Sequence, residues 1–90
     1  GNLAQELAPA GIRVNSVSPG PVFFEGGAWD NIKAAMPEIY ESTVAMIPAG
    51  RMGSPEEICV QVALLLSPLS AYTTGTNVVV DGGFTKRIQF

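Results

Sequence analysis

The chain has 90 residues, of which 47% are hydrophobic and 14% are charged; this balance excludes a disordered tail, because disordered segments are highly charged and poor in apolar residues. The net charge of −3 argues against a nucleic-acid partner, since nucleic-acid-binding modules carry a basic patch that contacts phosphates. The only basic pair, Lys86 and Arg87, is interpreted as a solvated terminus. Because the sequence contains no histidine, we expect neither an imidazole general base nor a histidine-ligated metal, and we predict no metal site.

The cysteine content and the hydropathy pattern indicate the cellular compartment and whether the chain spans a membrane. Cys59 is the single cysteine, so no internal disulfide can form, which is typical of a reducing compartment. Its apolar neighbours, Ile58 and Val60, predict a packed thiol. The longest apolar run, residues 62–66, is too short to span a membrane, and no signal-peptide pattern opens the chain. We therefore expect a soluble cytoplasmic protein with no membrane partner.

The first twenty residues predict a helix followed by a strand. Residues 1–10 are interpreted as the end of a helix, which lacks a start signal as though cut from a longer one. Gly11 is predicted to end it, because glycine adopts the left-handed conformation at little cost. Residues 12–18 predict a strand, and Pro19, which has no N–H for a ladder bond, is expected to leave the sheet. Gly20 then allows the backbone to approach a ligand at the carboxyl edge.

The aromatic residues after this strand suggest a loop that covers a ligand. Phe23, Phe24 and Trp29 lie beside a glycine pair, a composition typical of an apolar, hinged loop that closes over a bound molecule. The alternative is that the three rings pack beneath the loop as ordinary core residues. Asp30 is predicted to cap a short helix, and Pro37, which cannot continue that helix, is predicted to begin a second one.

The second half of the chain predicts one longer helix and one more strand. Residues 54–57, Ser-Pro-Glu-Glu, form a capping box with proline at the first helical position, and they predict a helix over residues 54–67. Asn77–Val80 predicts a buried strand, parallel and adjacent to the first because helices separate the two. Four apolar residues of the helix are predicted to share its inner face. They are Ile58, Val62, Leu65 and Leu66.

Three blocks of sequence occur in an order and spacing that a known protein family shares. They read Leu3-Ala4-x-Glu6-Leu7-Ala8-x-x-Gly11-Ile12-Arg13-Val14-Asn15-x-Val17-x-Pro19-Gly20, Gly50-Arg51-x-Gly53-x-Pro55-Glu56-Glu57-Ile58 and Thr74-Gly75-x-x-Val78-x-Val80-Asp81-Gly82-Gly83. Together they cover nearly the whole chain and closely resemble the C-terminal part of the short-chain dehydrogenases/reductases.

The resemblance implies an α/β fold, in which the chain is the C-terminal fragment of a Rossmann-type doubly wound parallel sheet. The fragment would comprise the last two strands, the helices of a substrate lobe and the last long helix. Residues 1–90 would then belong to a single domain. Its parts would be the end of a helix at 1–10, a strand and Pro-Gly loop at 11–20, the substrate lobe at 21–53, a helix at 54–67 and the last strand and turn at 76–83.

The resemblance also implies an NAD- or NADP-dependent oxidoreductase that transfers a hydride between the nicotinamide cofactor and an alcohol or carbonyl substrate. The family's Gly-rich cofactor turn and its catalytic Ser, Tyr and Lys have no match in this sequence. Tyr40 and Tyr72 are followed four residues later by Val44 and Thr76, where the family's pattern requires lysine. We therefore assign no catalytic residue to this chain and expect it to be inactive alone.

Candidate site residues follow from the matched Pro-Gly segment. The resemblance implies that Pro19, Gly20 and Val22 line the nicotinamide and that the Val22 backbone hydrogen-bonds its carboxamide. Phe24 stands where the family often has a threonine that contacts the cofactor phosphates, so the residue that makes that contact is absent here. The predicted substrate-binding residues are Phe23, Phe24 and Trp29. Three further matches are interpreted as structural: Arg13, Asn15 and Asp81.

The expected partners are a small alcohol or carbonyl substrate, the missing N-terminal part of the same fold, and further copies of the protein in a homo-oligomer. In the family the last long helix and last strand commonly form a subunit interface. A second hypothesis is a non-catalytic binding or assembly module derived from this fold. The coding sequence upstream of the chain separates the two, since an open frame that continues into a Tyr-x-x-x-Lys helix favours the enzyme.

Overall fold

The computed structural model describes residues 2–85, so the basic pair at residues 86–87 lies outside the described residues. Two short parallel strands pack against one longer helix, and two shorter helices lie between the first strand and that helix in the chain. The helices are α1 (Asn2–Leu7), α2 (Ala28–Ala35), α3 (Pro37–Ala45) and α4 (Pro55–Leu66), with 3-10 turns at Ala8–Ala10 and Pro68–Ser70, and the strands are β1 (Ser16–Pro19) and β2 (Asn77–Val80).

The two strands form a parallel pair, as the sequence predicts. The register runs from Ser16 opposite Asn77 to Pro19 opposite Val80. The predicted bounds of β2 are confirmed. The prediction for β1 is wrong at its start, because residues 12–15 are not part of the strand.

In the segment before β1, side-chain bonds supplement a single backbone bond to the segment before β2, from the Gly75 N–H to the Val14 carbonyl at 2.7 Å. The Asn15 amide nitrogen donates to the Thr73 carbonyl at 3.0 Å, and its amide oxygen accepts from the Thr76 N–H at 3.1 Å. The Val14 N–H donates to the Thr74 hydroxyl, so this stretch is held without regular strand pairing. The interpretation of Asn15 as structural agrees with these contacts.

Pro19 does not take the chain out of the sheet, contrary to the prediction. It is the last residue of β1, and the following Gly20 N–H donates to the Val80 carbonyl at 2.9 Å. Since alternate residues of a parallel strand direct their backbone groups to opposite sides, the Pro19 nitrogen lies on the edge away from β2. Its missing N–H therefore costs no bond between the two strands.

The two faces of the sheet have different neighbours. Val17 lines a groove with Val62 and Leu65, which places this face of the sheet against α4. On the other face, the Ser16 and Ser18 hydroxyls donate to the Asn77 amide oxygen at 2.8 and 3.0 Å, and these three residues are exposed. Val79 on that face is 49% exposed. Within residues 2–85, α4 therefore covers one face of the sheet, and the other face is open.

The start of α4 confirms the predicted capping box. The Ser54 hydroxyl accepts from the Glu57 N–H at 3.3 Å, and the Glu57 carboxylate accepts from the Ser54 N–H at 3.0 Å. Pro55 occupies the first helical position, where its missing N–H would have no helical partner in any case.

The predicted inner face of α4 is only partly correct. Ile58 and Leu65 are half-buried, whereas Val62 and Leu66 are 39% and 77% exposed. Cys59 is exposed, so the prediction of a packed thiol is wrong for this chain. Its apolar neighbours do not enclose it because successive helical residues point in different directions.

The helix α2 begins earlier than predicted. Gly27 is its N-terminal cap, and Asp30 lies inside the first turn, where its carboxylate accepts from the Gly26 N–H at 2.9 Å. A carboxylate is favourable there because the first turn carries the positive end of the helix dipole. Pro37 begins α3, as predicted, and Gly11 ends the first helical segment at φ 78°.

The buried apolar core of the described residues is small. It consists of Ala4, Ile47 and Met52, and no large side chain is fully buried. The chain exposes 6287 Å², whereas a compact monomer of this mass exposes about 5,000 Å². None of the helices within residues 2–85 has the length and hydropathy required to cross a membrane.

Candidate functional site

The carboxyl ends of β1 and β2 approach each other unusually closely at Gly20. A Cβ atom at this position would lie 2.8 Å from the Asp81 Cα and would overlap the Asp81 Cβ. Because the neighbour is backbone, it cannot move aside without separating the strand ends. Glycine is therefore required at position 20 by the neighbouring strand, a cause additional to the ligand approach predicted from the sequence.

The chain beyond Gly20 makes a second parallel pairing, between Val22 and Gly53. The Gly53 N–H donates to the Pro21 carbonyl at 3.0 Å, and the Phe23 N–H donates to the Gly53 carbonyl at 2.9 Å. These two bonds join the beginning and the end of residues 21–53, which we call the 21–53 segment.

This pairing determines where the Val22 backbone groups point. Gly53 uses both of its backbone groups toward the neighbours of Val22, so the N–H and C=O of Val22 lie on the opposite side of its strand. Among the described residues, neither group has a hydrogen-bond partner. Val22 thus presents one donor and one acceptor from a backbone that is fixed on both sides.

The ring of Phe23 lies in a cluster with two side chains from the helices. It meets the Tyr40 ring edge to face, with centroids 6.0 Å apart and planes at 73°. The Lys33 ammonium lies 5.4 Å from the Phe23 centroid and 5.1 Å from the Tyr40 centroid. Cation–π attraction therefore joins α2, α3 and the start of the 21–53 segment.

The other two predicted substrate residues have different surroundings. Phe24 is 51% exposed, and its ring lies so close to the buried Gly27 that a Cβ there would approach ring carbons to 2.7–2.9 Å. Trp29, in the first turn of α2, is half-buried. Phe23 and Phe24 thus follow each other in the chain but have different packing partners.

An ion pair supports the end of the 21–53 segment. Two Arg51 guanidinium nitrogens each donate to one Glu57 carboxylate oxygen at 2.8 Å. The Arg51 hydrogen bond is the largest cause that lowers the pKa of Glu57 to about 2, followed by the bonds from Ser54. This cluster directly flanks Gly53, the partner of Val22.

The turn after β2 holds the same segment from another side. Gly82 and Gly83 have φ of 62° and 91°, and the Gly82 carbonyl accepts from the Ala49 N–H at 3.0 Å. A Cβ at Gly82 would lie 2.9 Å from the Ala49 Cβ, so the close packing requires glycine. The Asp81 carboxylate accepts from the N–H groups of Gly83 and Thr85, and hydrogen bonds, the largest from Thr85, lower its pKa. These contacts agree with the structural interpretation of Asp81.

Arg13 also makes structural contacts. Its guanidinium donates to the Thr73 carbonyl at 3.2 Å and to the Ser67 carbonyl at 3.5 Å. It therefore ties the segment before β1 to the connection between α4 and β2, at the end of the sheet opposite Val22.

The resemblance implies a ligand-facing role for the Val22 backbone, but the sequence does not predict the residues that fix this backbone in place. The sequence marks Gly53 only as a matched glycine at the end of the 21–53 lobe, because no local signal indicates a pairing with a residue 31 positions earlier. Lys33 and Tyr40 lie on either side of Pro37, and no helical spacing relates them to Phe23.

Nearly the whole described chain matches known proteins. The family model described as enoyl-(acyl carrier protein) reductase matches residues 2–85. The chain belongs to the short-chain dehydrogenase/reductase family. In this family, the isoepoxydon dehydrogenase of Aspergillus clavatus is 46% identical over 88 residues, which cover 98% of this chain and 34% of that protein. The NAD-dependent glycerol dehydrogenase of Listeria innocua is 40% identical over 83 residues, 92% of this chain and 31% of its own.

Solved structures of short-chain dehydrogenases/reductases confirm the fold class. An Agrobacterium tumefaciens protein named for 2-deoxy-D-gluconate 3-dehydrogenase activity, solved with bound NADP, superposes with a TM-score of 0.80 at 33% identity. The match covers 94% of this chain and 33% of that one. The two parallel strands and their helices are thus part of a Rossmann-type α/β fold, and the chain spans about a third of the length of the relatives it matches.

Proposed function

We propose that the chain forms the nicotinamide side of an NAD(P)-dependent oxidoreductase that interconverts an alcohol and a carbonyl compound. Family membership supports the reaction class, since the matched relatives include dehydrogenases. The remaining two thirds of such a protein would supply the Gly-rich turn and the catalytic Ser, Tyr and Lys. No catalytic residue is proposed within this chain.

The observation that carries this proposal is the backbone of Val22. A carboxamide has one N–H donor side and one carbonyl acceptor, and Val22 presents a matching acceptor and donor with no partner among the described residues. The strand pairings on either side of Val22 set the direction of both groups before any ligand arrives. Such preorganisation keeps the reacting ring in one orientation, which contributes to rate more than to affinity.

The residues present therefore fit a nicotinamide. Val22 would hold its carboxamide, and Pro19 and Gly20, at the end of β1, would lie along the ring. When bound, the nicotinamide supplies or accepts the hydride. The chain's own contribution is to orient the ring and to exclude water from one side of it.

The substrate would lie on the side of the aromatic residues of the 21–53 segment. We propose that Phe23, Phe24 and Trp29 form an apolar wall, with Phe24 the most accessible of the three because half of its surface is exposed. Phe24 also occupies the position at which many family members have threonine, which favours an apolar contact over a phosphate contact there.

Replacing Val22 by proline in the full-length protein tests this assignment. Val22→Pro removes the N–H donor, and the proline ring suits an extended backbone, so the fold should survive. A neutral hydrogen bond contributes about 0.5–1.5 kcal/mol, which corresponds to roughly a two- to twelve-fold loss, and we expect the loss in kcat to exceed the loss in cofactor affinity.

The matched control is Val22→Ala, which shortens the same side chain but keeps the donor. Steady-state kinetics with cofactor and substrate varied separately should show near-normal kcat for Val22→Ala and reduced kcat for Val22→Pro. Equal kinetics in the two variants would contradict the role of the Val22 N–H. A full-length protein that binds neither NADH nor NADPH would contradict the proposed function itself.

A further inference from the structure

The Lys33 ammonium is held by aromatic rings without a carboxylate partner among the described residues. It lies 5.4 Å from the Phe23 centroid and 5.1 Å from the Tyr40 centroid, within the range of cation–π attraction to both rings. The one ion pair within residues 2–85 joins Arg51 to Glu57, well away in the chain from Lys33. The charge of Lys33 is therefore directed at a pair of rings that themselves meet edge to face.

The Phe23–Tyr40 pair adjoins the backbone of Val22, on which the proposed function depends. Phe23 directly follows Val22, and the Phe23 N–H donates to the Gly53 carbonyl at 2.9 Å. The Phe23 ring is thus one fixed point and the Gly53 pairing another. Together, the packing of the Phe23 ring and the Gly53 pairing restrict the orientation of the two peptide planes that carry the N–H and C=O of Val22.

Anion binding is a weaker interpretation of Lys33. The 21–53 segment contains four acidic residues and only one other basic residue, Arg51, which Glu57 already neutralises. Such a segment repels anions over distances of about a Debye length, so an anionic ligand would gain little from one exposed ammonium.

We propose that Lys33 is a positioning residue: it clamps the Phe23 ring against Tyr40 and so holds the Val22 backbone in its ligand-facing orientation. The proposal rests on the proposed function for its effect on turnover, but the clamp itself is a property of the chain alone. It gives α2 and α3 a role in orienting a backbone group that belongs to neither helix.

The experiment compares three variants of the full-length protein. Lys33→Met keeps the length of the side chain and removes the charge, Lys33→Arg keeps a cation that can stack on the rings, and Ala34→Glu changes the net charge by the same unit at the neighbouring exposed position. The readouts are amide hydrogen exchange at Phe23 and Gly53, and kcat and KM with each reactant varied separately.

An exposed cation–π contact corresponds to a change of about two- to five-fold in a local equilibrium. We therefore expect Lys33→Met to raise exchange at Phe23 and Gly53 by about this factor, with no change at the amides of α4, and to lower kcat by a similar factor. Lys33→Arg should restore both quantities to within about twofold of the unmodified protein. Ala34→Glu should leave both unchanged.

Two results would overturn the proposal. One is unchanged exchange at Phe23 and Gly53 in Lys33→Met, or an increase that is equal throughout the protein, because either shows that Lys33 does not hold this segment in particular. The other is increased local exchange with unchanged kcat. If the unmodified protein shows no hydride transfer, the proposed function fails, while the exchange data still decide whether the Lys33 clamp exists.

Discussion

The two ends of the sheet differ in how far this chain pairs their backbone groups and covers their apolar side chains. At the carboxyl end, backbone bonds join Gly20 to Val80, Gly53 to Pro21 and Phe23, and Ala49 to Gly82, and the buried Ile47 and Met52 lie in the same region of the sequence. At the amino end, apolar side chains are uncovered. Tyr72 is fully exposed, Leu69 is 88% exposed, and Ile12 is also exposed.

A groove of about 390 Å³ lies between β1 and α4. Arg13, Val17 and Leu65 are among the residues that line it. The outer edge of β1 is also unpaired within residues 2–85, since β1 and β2 form a two-stranded sheet there. The carboxyl end is thus held by contacts within the chain, whereas the groove and amino end have the composition of surfaces that further polypeptide covers.

The largest expected effect concerns the stability of the chain by itself. A two-stranded sheet with a core of three buried apolar residues is marginal at best in water. We predict that the isolated 90-residue chain loses helical signal gradually on heating, as followed by circular dichroism in dilute solution. A sharp cooperative melt would show that the uncovered end needs no partner.

The next largest effect should come from the carboxyl end, at Gly20. In the full-length protein, Gly20→Ala places a methyl group against the Asp81 backbone and should lower the free energy of unfolding by about 1–3 kcal/mol. The matched control is Gly53→Ala, where the nearest atom to an added Cβ is 3.9 Å away, an ordinary contact. Urea denaturation of both variants checks this, and equal destabilisation would contradict the close approach at Gly20.

A third prediction addresses the outer surface of α4, where Val60 and Leu64 are 63% and 47% exposed. We propose that a second copy of the full-length protein covers this surface. Leu64→Asp would then bury a carboxylate without a partner and weaken the interface by at least about 1 kcal/mol, shifting size-exclusion profiles toward smaller species. Glu56→Gln, a change at the exposed start of the same helix, serves as the control. An unchanged profile with normal folding would exclude this interface.

The smallest expected effect is the pH dependence of the Glu57 cluster. The pKa of the Glu57 carboxyl is lowered to about 2 in the folded chain. The stabilising contribution of this carboxylate is therefore complete above its ordinary pKa of 4.5 and is lost as the pH falls through about 2. The difference in melting temperature between the full-length protein and its Glu57→Gln variant should therefore shrink over this range. Glu56→Gln removes the same charge one residue away and should show a smaller difference. A constant Glu57→Gln difference from pH 6 to 2 would contradict the Arg51 pairing.

The sequence predicted the elements that have local signals. The capping box at Ser54 and Glu57, the break at Pro37 and the bounds of β2 each depend on a few neighbouring residues, and the structure confirms them. Parallel pairing of the strands followed from the helices between them.

Exposure could not be predicted in the same way, and Cys59 shows the reason. The helix α4 is apolar on more than one side, which is typical of a helix buried on several sides in a larger protein. Within this chain only one side of it is covered, so Cys59 and Leu66 are exposed. The predicted site residues remain proposals for a similar reason: Val22 is placed by Gly53, and that non-local pairing leaves no trace in the local sequence.

Under the proposed function, the pairing of Val22 with Gly53 also bears on how substrate preference can change. The two ends of the 21–53 segment are bonded to each other, so residues can be inserted between them at little cost in chain closure, provided that the Phe23–Lys33–Tyr40 cluster and the buried Ile47 and Met52 are kept. New helices could be introduced between these two points without altering β1, β2 or α4. Under the proposed function, insertions at this place would alter substrate preference while β1, β2 and α4 stay constant.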